Sequence, residues 1–255
     1  LPGAELPAAN VMVNPNLPGS RFGSRALAGV GVAFYVMVAL KRALDSAGLV
    51  APSAPAPAEW LDLVALGTVA DVVPLDFNNR VLVAQGLARI RAGRCVPGIR
   101  ALLEIARRDR ADLTASDLGF AIAPRLNAAG RLDDMSIGIR CLLADREVEA
   151  RSLAARLDQL NVERRAIEGQ MQVQALAAVR HLGPIATPGA RQRSGVCLFD
   201  ATWHQGVVGL VASRIKERLR RPVVAFANGG DGLLRGSARS VAGVHVRDVF
   251  ENIAA

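Results

Sequence analysis

The chain has 255 residues and a net charge of +8, and hydrophobic residues make up 51% of it. This composition excludes a disordered tail, and the three scattered cysteines exclude a disulfide framework or a cysteine-based zinc site. The positive charge indicates a polyanionic partner such as nucleic acid. A chain whose cations are nearly all arginine is also typical of a genomic coding bias.

The most apolar run covers residues 26–40. It is about 15 residues long, shorter than the roughly 20 residues that span a bilayer. We therefore predict a buried helix here and no association with a membrane. The sparse cysteines favour a reducing, cytoplasmic location. Because the chain opens without an initiator Met or a signal-peptide pattern, we expect it to be an excerpt of a longer protein.

The first half of the chain is predicted to be mainly helical. An apolar run at residues 11–13 predicts a short strand, and Ser24 is the predicted N-cap of a helix that ends at about Leu44. A linker rich in Pro and Ala covers residues 51–58. Helical patterns then follow at about 59–69, 78–91, 97–109 and 115–122, separated by Gly and Pro.

The second half changes from helical to mixed patterns. Residues 145–182 contain no Pro and carry apolar positions at helical spacing, which predicts one long amphipathic helix that joins two domains. Gly and Pro break the pattern at 183–195. A buried strand at 196–200, a helix at 208–219 and a second buried strand at 221–227 then predict a parallel α/β sheet.

The candidate metal ligand is Asp71 in the stretch GTVADVVPL. Its neighbours in sequence are apolar, and a buried carboxylate is costly unless it is paired or binds a metal. Mg²⁺ and Mn²⁺ prefer such oxygen ligands. The alternative is a carboxylate that ends a helix and caps it or pairs with an arginine, and composition alone favours this alternative.

Candidate phosphate-binding residues occur in three further stretches. Arg, Asn, Ser and His side chains beside glycine suit phosphate oxygens, and a helix that follows a strand offers free backbone N–H groups to an anion. The alternatives are solvated arginines, a turn histidine in water, and a hairpin with its charges facing solvent. The candidates are Arg125, Asn127 and Arg131 around a predicted Gly turn, His204 and Gly206 between a strand and a helix, and Ser237, Arg239 and Ser240 in RGSARS.

No Walker A, GxSxG, HExxH or GxGxxG motif is present, which gives no support to the enzyme classes that depend on them. Six blocks in fixed order instead carry a resemblance. They are LPGAELPAANVMVNPNLPG, SRALAGVGVAFYVMVAL, ALGTVADVVPLDFNNRVLV, APRLNAAGRLDD, WHQGVVGLVASRIKERLRRPVVAF and GSARSVAGVHVRD. This series resembles the RecJ family of single-strand-specific 5′→3′ DNA exonucleases, which belongs to the DHH phosphoesterases.

The resemblance implies an α/β fold in three parts. The C-terminal part of a DHH catalytic domain, mostly helical here, would cover 1–144, a connecting helix 145–182, and a smaller, truncated DHHA1 domain 183–255. Family members hold two Mn²⁺ or Mg²⁺ ions, and of their ligands only Asp71 has a counterpart in this chain. The family's LPG follows its DHH triplet, so the excerpt is expected to start just past it and to be inactive alone.

By the same resemblance, Arg125, Asn127, Arg131 and the residues of the last two stretches should lie at the phosphates of single-stranded DNA. The family commonly has Gly at the position of Ala238, which is compatible with Ala only where φ is negative. The implied products are 5′-mononucleotides in DNA repair and recombination, with a helicase and a single-strand-binding protein as candidate partners. Two alternatives stay open: a related phosphodiesterase for short oligonucleotides or cyclic dinucleotides, and a non-catalytic replication scaffold.

Overall fold

The computed structural model describes residues 7–51, 53–181, 194–230 and 232–254. The helices are α1 (Gly29–Ser46), α2 (Leu61–Ala70), α3 (Phe77–Arg91), α4 (Pro97–Ile105), α5 (Ala115–Asp117), α6 (Ala123–Leu132), α7 (Ser136–Leu143), α8 (Glu147–His181), α9 (Val208–Leu219) and α10 (Val246–Ala254). The strands are β1 (Val196–Phe199), β2 (Val223–Asn228) and β3 (Leu234–Arg239). This mixture of helices with a small sheet confirms the predicted α/β fold class.

The chain divides into two compact units by its internal contacts. Unit 1 comprises Leu1–Asn127 and Met135–Asp158, and unit 2 comprises Ala128–Asp134 and Gln159–Ala255. The long helix α8 matches the helix predicted at 145–182 up to His181, while residues 182–193 lie outside the described part of the chain. The predicted three-part division into domains remains a prediction.

Unit 1 is built around the pairing of α2 with α3. A Cβ at Gly86 would lie 2.1 Å from the carbonyl oxygen of Leu61, so only glycine lets the two helices approach this closely. Asp76 caps α3 by accepting a hydrogen bond from the Asn79 N–H at 2.9 Å. The buried amide of Asn79 donates to the carbonyl oxygen of Pro74, which ties the segment after α2 to the start of α3.

Several predicted elements of unit 1 are corrected by the structure. Residues 11–13 form no strand, because no described segment pairs with them. Ser24 is not the N-cap of α1, which begins later at Gly29; its hydroxyl donates to Asp76 Oδ2 at 2.6 Å. The helix predicted to reach residue 109 ends at Ile105, and Arg107 follows in the left-handed region at φ 52°.

Unit 2 packs α8 and α9 against a three-stranded sheet of order β1-β2-β3. β1 and β2 are parallel, with Val196 opposite Val223, which confirms the predicted strand–helix–strand arrangement. β3 adds antiparallel to β2, with Ser237 opposite Ala225 and Arg239 opposite Val223. The RGSARS stretch is therefore largely a strand. This agrees with the alternative prediction that the stretch belongs to a hairpin. None of the described helices combines the length and the apolar character needed to cross a membrane.

Candidate metal and nucleic-acid sites

Asp71 lies at the C-terminal end of α2, where it is the C-cap residue. Its side chain is exposed, so the prediction of a buried carboxylate is wrong: the helix ends at Ala70, and Asp71 and Val72 of the following turn face solvent. No hydrogen bond or ion pair of the described residues engages the carboxylate. Among the described residues, no three His, Cys, Asp or Glu side chains converge to hold a metal ion. The described residues thus offer the Asp71 carboxylate as one possible oxygen ligand, but they form no complete metal site around it.

The residue after Asp71 has a strained backbone. Val72 adopts φ 54°, in the left-handed region that β-branched residues rarely enter. Its side chain is 85% exposed, so packing of the side chain does not compensate for the strain. Leu75 and Phe77, just beyond, are also exposed. Backbone strain of this kind clusters at functional sites, which makes the turn after α2 a candidate for one.

The stretch with Arg125, Asn127 and Arg131 is not a Gly turn. It forms helix α6, which continues through Gly130 because its alanines and leucines favour a helix. The Arg125 guanidinium is already engaged: Nε donates to Asp158 Oδ1 at 2.8 Å, and Nη1 donates to a backbone carbonyl. Its side chain is only 13% exposed. Asn127, by contrast, is exposed on α6.

Arg131 contacts the loop between β1 and α9. Its Nη1 donates to the carbonyl oxygen of Gly206 at 3.2 Å. A Cβ at Gly206 would lie only 2.0 Å from the Arg131 carbonyl oxygen, so this position requires glycine. Arg164 is near enough for Arg131 to affect it. Burial is the main cause that lowers the pKa of Arg164, Glu168 opposes that shift, and Arg165 and Arg131 lower the pKa further.

His204 occupies the same loop and is half-buried. Its Nδ1 accepts a hydrogen bond from the Gly206 N–H at 3.1 Å. An imidazole that accepts at Nδ1 carries its proton on Nε2 when neutral, so Nε2 is left as a donor. The loop therefore presents one fixed N–H group that suits an anionic oxygen.

Ser237 and Arg239 of β3 meet the first turn of α9. Arg239 Nη1 donates to the Ser237 hydroxyl at 2.7 Å. A Cβ at Gly209 would lie 2.7 Å from Arg239 Nη2 and 3.0 Å from Ser237 Oγ. The N–H groups of Val208 and Leu210 already donate to the carbonyl oxygens of His204 and Val207, so the start of α9 adds mainly the partial positive charge of its dipole. Together with a hydroxyl and a guanidinium, that charge suits a phosphate.

The remaining residues of this region have structural roles. Ser240 Oγ accepts a hydrogen bond from the N–H of Val246 at 3.1 Å and so fixes the start of α10. Ala238 is not among the described residues with positive φ, which meets the condition expected for Ala at this position. His245 is exposed, and its Nδ1 lies 3.3 Å from Asp248 Oδ1.

Two residues of this region escaped the sequence analysis. Gly209 leaves space for Ser237 and Arg239, and the Ser213 hydroxyl accepts from Arg239 Nε at 2.8 Å. Residue spacing within α9 gives no sign of either role, because both depend on a strand that follows about 25 residues later. The only local signal was the glycine at the start of a helix after a strand.

A family model described as "DHHA1 domain" matches residues 192–255. Along 99% of its own length, the chain is 59% identical to the single-stranded-DNA-specific exonuclease RecJ of Dickeya dadantii. It spans 44% of the length of that relative. The sequence similarity thus covers nearly the whole chain but less than half of the relative.

Solved structures agree with the sequence comparison. RecJ of Thermus thermophilus in complex with Mn²⁺ superposes with a TM-score of 0.77 at 35% identity, over 98% of this chain and 35% of that one. RecJ from the same organism in complex with Mg²⁺ gives a TM-score of 0.74 at 35% identity, over 92% and 33% of the two chains. The predicted resemblance is confirmed in both sequence and fold.

Proposed function

We propose that the protein is a metal-dependent exonuclease, because the chain matches RecJ in sequence and fold along nearly its whole length. It degrades single-stranded DNA from the 5′ end and releases 5′-mononucleotides, in repair and recombination. The observation that carries the proposal is the meeting of Ser237 and Arg239 with the first turn of α9, beside the loop of His204 and Gly206. These groups suit a phosphodiester backbone, which is the substrate that the relatives' name states.

The metal is proposed to be Mn²⁺ or Mg²⁺, bound as two ions. The residues fit such ions, because the Asp71 carboxylate is an exposed, hard oxygen donor that no described residue engages. The other ligands would come from the part of the relatives' length that this chain does not span. When bound, two such ions lower the pKa of a water nucleophile and stabilise the charge that develops on the phosphate. The strained turn at Val72 supports a functional role for Asp71.

The residues of unit 2 are proposed to hold the DNA backbone. Arg131, His204 and Arg239 would donate to phosphate oxygens, and the Ser237 hydroxyl would complete the set. Gly206 would position two of these side chains, because its N–H donates to His204 and its carbonyl oxygen accepts from Arg131. His204 would donate from Nε2, since Nδ1 is engaged by the Gly206 N–H. Contacts to phosphates position a strand without reading its sequence, which suits an enzyme that degrades any single strand.

Three predicted contacts have different support. Asn127 is exposed on α6, so it stays in the proposal. Arg125 is engaged by Asp158, and Ser240 holds the start of α10. We propose that these two residues support the site rather than carry it. A cytoplasmic location, and a helicase and a single-strand-binding protein as partners, are proposed from the similarity to RecJ alone.

The test uses a single-stranded oligonucleotide that carries a label at either its 5′ or its 3′ end. Its degradation by the whole protein is followed with Mn²⁺ present. We expect the 5′ label to appear at once in mononucleotides while the 3′-labelled strand shortens in steps. A blunt duplex of the same sequence should resist. A strong preference for dinucleotides over long strands would instead identify a phosphodiesterase for short substrates. Binding without any cleavage would identify a scaffold.

A further inference from the structure

We infer that Ser213 is a positioning residue that holds the Arg239 guanidinium against the start of α9, and that Gly209 keeps open the space this requires. The inference rests on the proposed contact between Arg239 and a DNA phosphate. Ser213 and Gly209 would determine where that guanidinium lies, a role that neither the family resemblance nor the sequence pattern indicates.

The guanidinium of Arg239 is held on two sides. Nε donates to Ser213 Oγ at 2.8 Å, while Nη1 donates to Ser237 Oγ at 2.7 Å and to the carbonyl oxygen of Ala238 at 2.8 Å. The Ser213 hydroxyl in turn donates to the carbonyl oxygen of Gly209 at 3.1 Å. A short chain of hydrogen bonds therefore joins the Arg239 side chain to the backbone of the first turn of α9.

This arrangement leaves one nitrogen of the guanidinium for a ligand. Nη2 has no acceptor among the described residues, and it lies over Gly209, only 2.7 Å from the place where a Cβ would stand. Any larger side chain at Gly209 would push Nη2 away from the helix end. The guanidinium thus keeps this position because residue 209 lacks a side chain and because Ser213 holds its Nε edge.

Such a clamp changes how strongly Arg239 binds an anion. A free arginine side chain loses rotamer freedom when it makes a contact, whereas a guanidinium already fixed by Ser213 and Ser237 loses less. Ser213 therefore raises the affinity for DNA without touching the DNA itself. Its effect must pass through Arg239 and must be confined to the phosphate that Arg239 contacts.

The test measures binding of single-stranded DNA to the whole protein in EDTA, which prevents cleavage. One phosphate at a time is replaced by a neutral methylphosphonate along the oligonucleotide. In the wild type, neutralising the phosphate at Arg239 should weaken binding about tenfold, as loss of a charge-assisted hydrogen bond does. In Arg239→Ala, neutralising that phosphate should no longer weaken binding. The slope of log K against log salt concentration should become less steep by about 0.7.

The Ser213 variants then isolate the positioning role. Ser213→Ala should weaken binding about fivefold, the effect of having to order one long side chain on binding, and should reduce the penalty at the same phosphate alone. Ser213→Thr retains the hydroxyl and should restore the wild-type profile. Gly209→Ala should act like Ser213→Ala, while Gly169→Ala, where a Cβ meets nothing within 4 Å, should bind like the wild type. Thermal unfolding confirms that each variant is folded.

The possible failures are distinguishable. If Arg239→Ala leaves the methylphosphonate profile unchanged, the proposed phosphate contact is wrong, and the inference falls with it. If Arg239→Ala flattens the profile but Ser213→Ala and Gly209→Ala keep it, the contact stands and the positioning role of Ser213 is refuted. A uniform loss of binding in Ser213→Ala that Thr does not restore also refutes it.

Discussion

Replacing Val72 by glycine should stabilise the protein, although the substitution removes a side chain. The left-handed backbone costs a non-glycine residue about 1–2 kcal/mol, and glycine avoids that cost. Glycine loses about 0.5–1 kcal/mol more conformational entropy on folding. The Val72 side chain is 85% exposed, so little burial is lost with it. We expect Val72→Gly to raise the free energy of unfolding by about 0.5 kcal/mol.

Urea unfolding of the whole protein measures this change, since a shift in the midpoint at constant slope reports stability alone. Val173→Gly is the matched control: Val173 is 70% exposed within the long helix α8, where glycine should destabilise by a few tenths of a kcal/mol. The two substitutions should therefore shift the midpoint in opposite directions. A midpoint that falls for Val72→Gly would refute the claim that this turn is strained. A stabilised variant with slower cleavage would indicate that the strain serves the site of Asp71.

Three further outcomes follow from the structure. Gly206→Ala should destabilise unit 2 by about 1–3 kcal/mol and weaken DNA binding, because its Cβ would lie 2.0 Å from the Arg131 carbonyl oxygen; urea midpoints and titrations with labelled DNA check this. Burial raises the pKa of Cys141 to about 11, so at pH 8 its thiol should resist iodoacetamide until urea unfolds the chain, as peptide mass mapping would show. The hydrogen bond that the Asn79 N–H donates to Asp76 holds the pKa of that carboxyl below its usual value of 3.8. The Asp76 carboxylate therefore stabilises the fold above pH 3.8, and this stabilisation is lost as the pH falls through the lower pKa of the folded state. Asp76→Asn should remove this part of the acid-range dependence of the urea midpoint, and an unchanged pH dependence would contradict the assignment.

The sequence predicted the order of elements in unit 2 because each signal there is local. Apolar runs mark β1 and β2, and helical spacing marks α9 between them. The parallel pairing follows from the strand–helix–strand order. The strand β3 was less evident, since its residues are polar and glycine-containing, and its pairing with β2 is what makes them a strand.

The site was harder to predict, because its geometry depends on contacts that are distant in sequence. The apolar neighbours of Asp71 suggested burial, yet α2 ends there and exposes the carboxylate. The residue type of Arg125 suggested a phosphate contact, yet its guanidinium forms an ion pair with Asp158, 33 residues away in sequence. The role of Ser213 requires β3 to return beside α9. Residue types could therefore indicate the chemistry, but only the fold shows which groups are free to perform it.

The central claim is that Asp71 supplies a metal ligand of a nuclease. It is tested most directly by the cleavage rate of single-stranded DNA by the whole protein with Mn²⁺, in the variants Asp71→Ala and Asp71→Asn. The exposed Asp112, changed to Asn, is the matched control. We expect both Asp71 variants to lose cleavage while their binding of DNA in EDTA stays measurable, and the control to cleave like the wild type. Near-normal cleavage by the Asp71 variants would contradict the account.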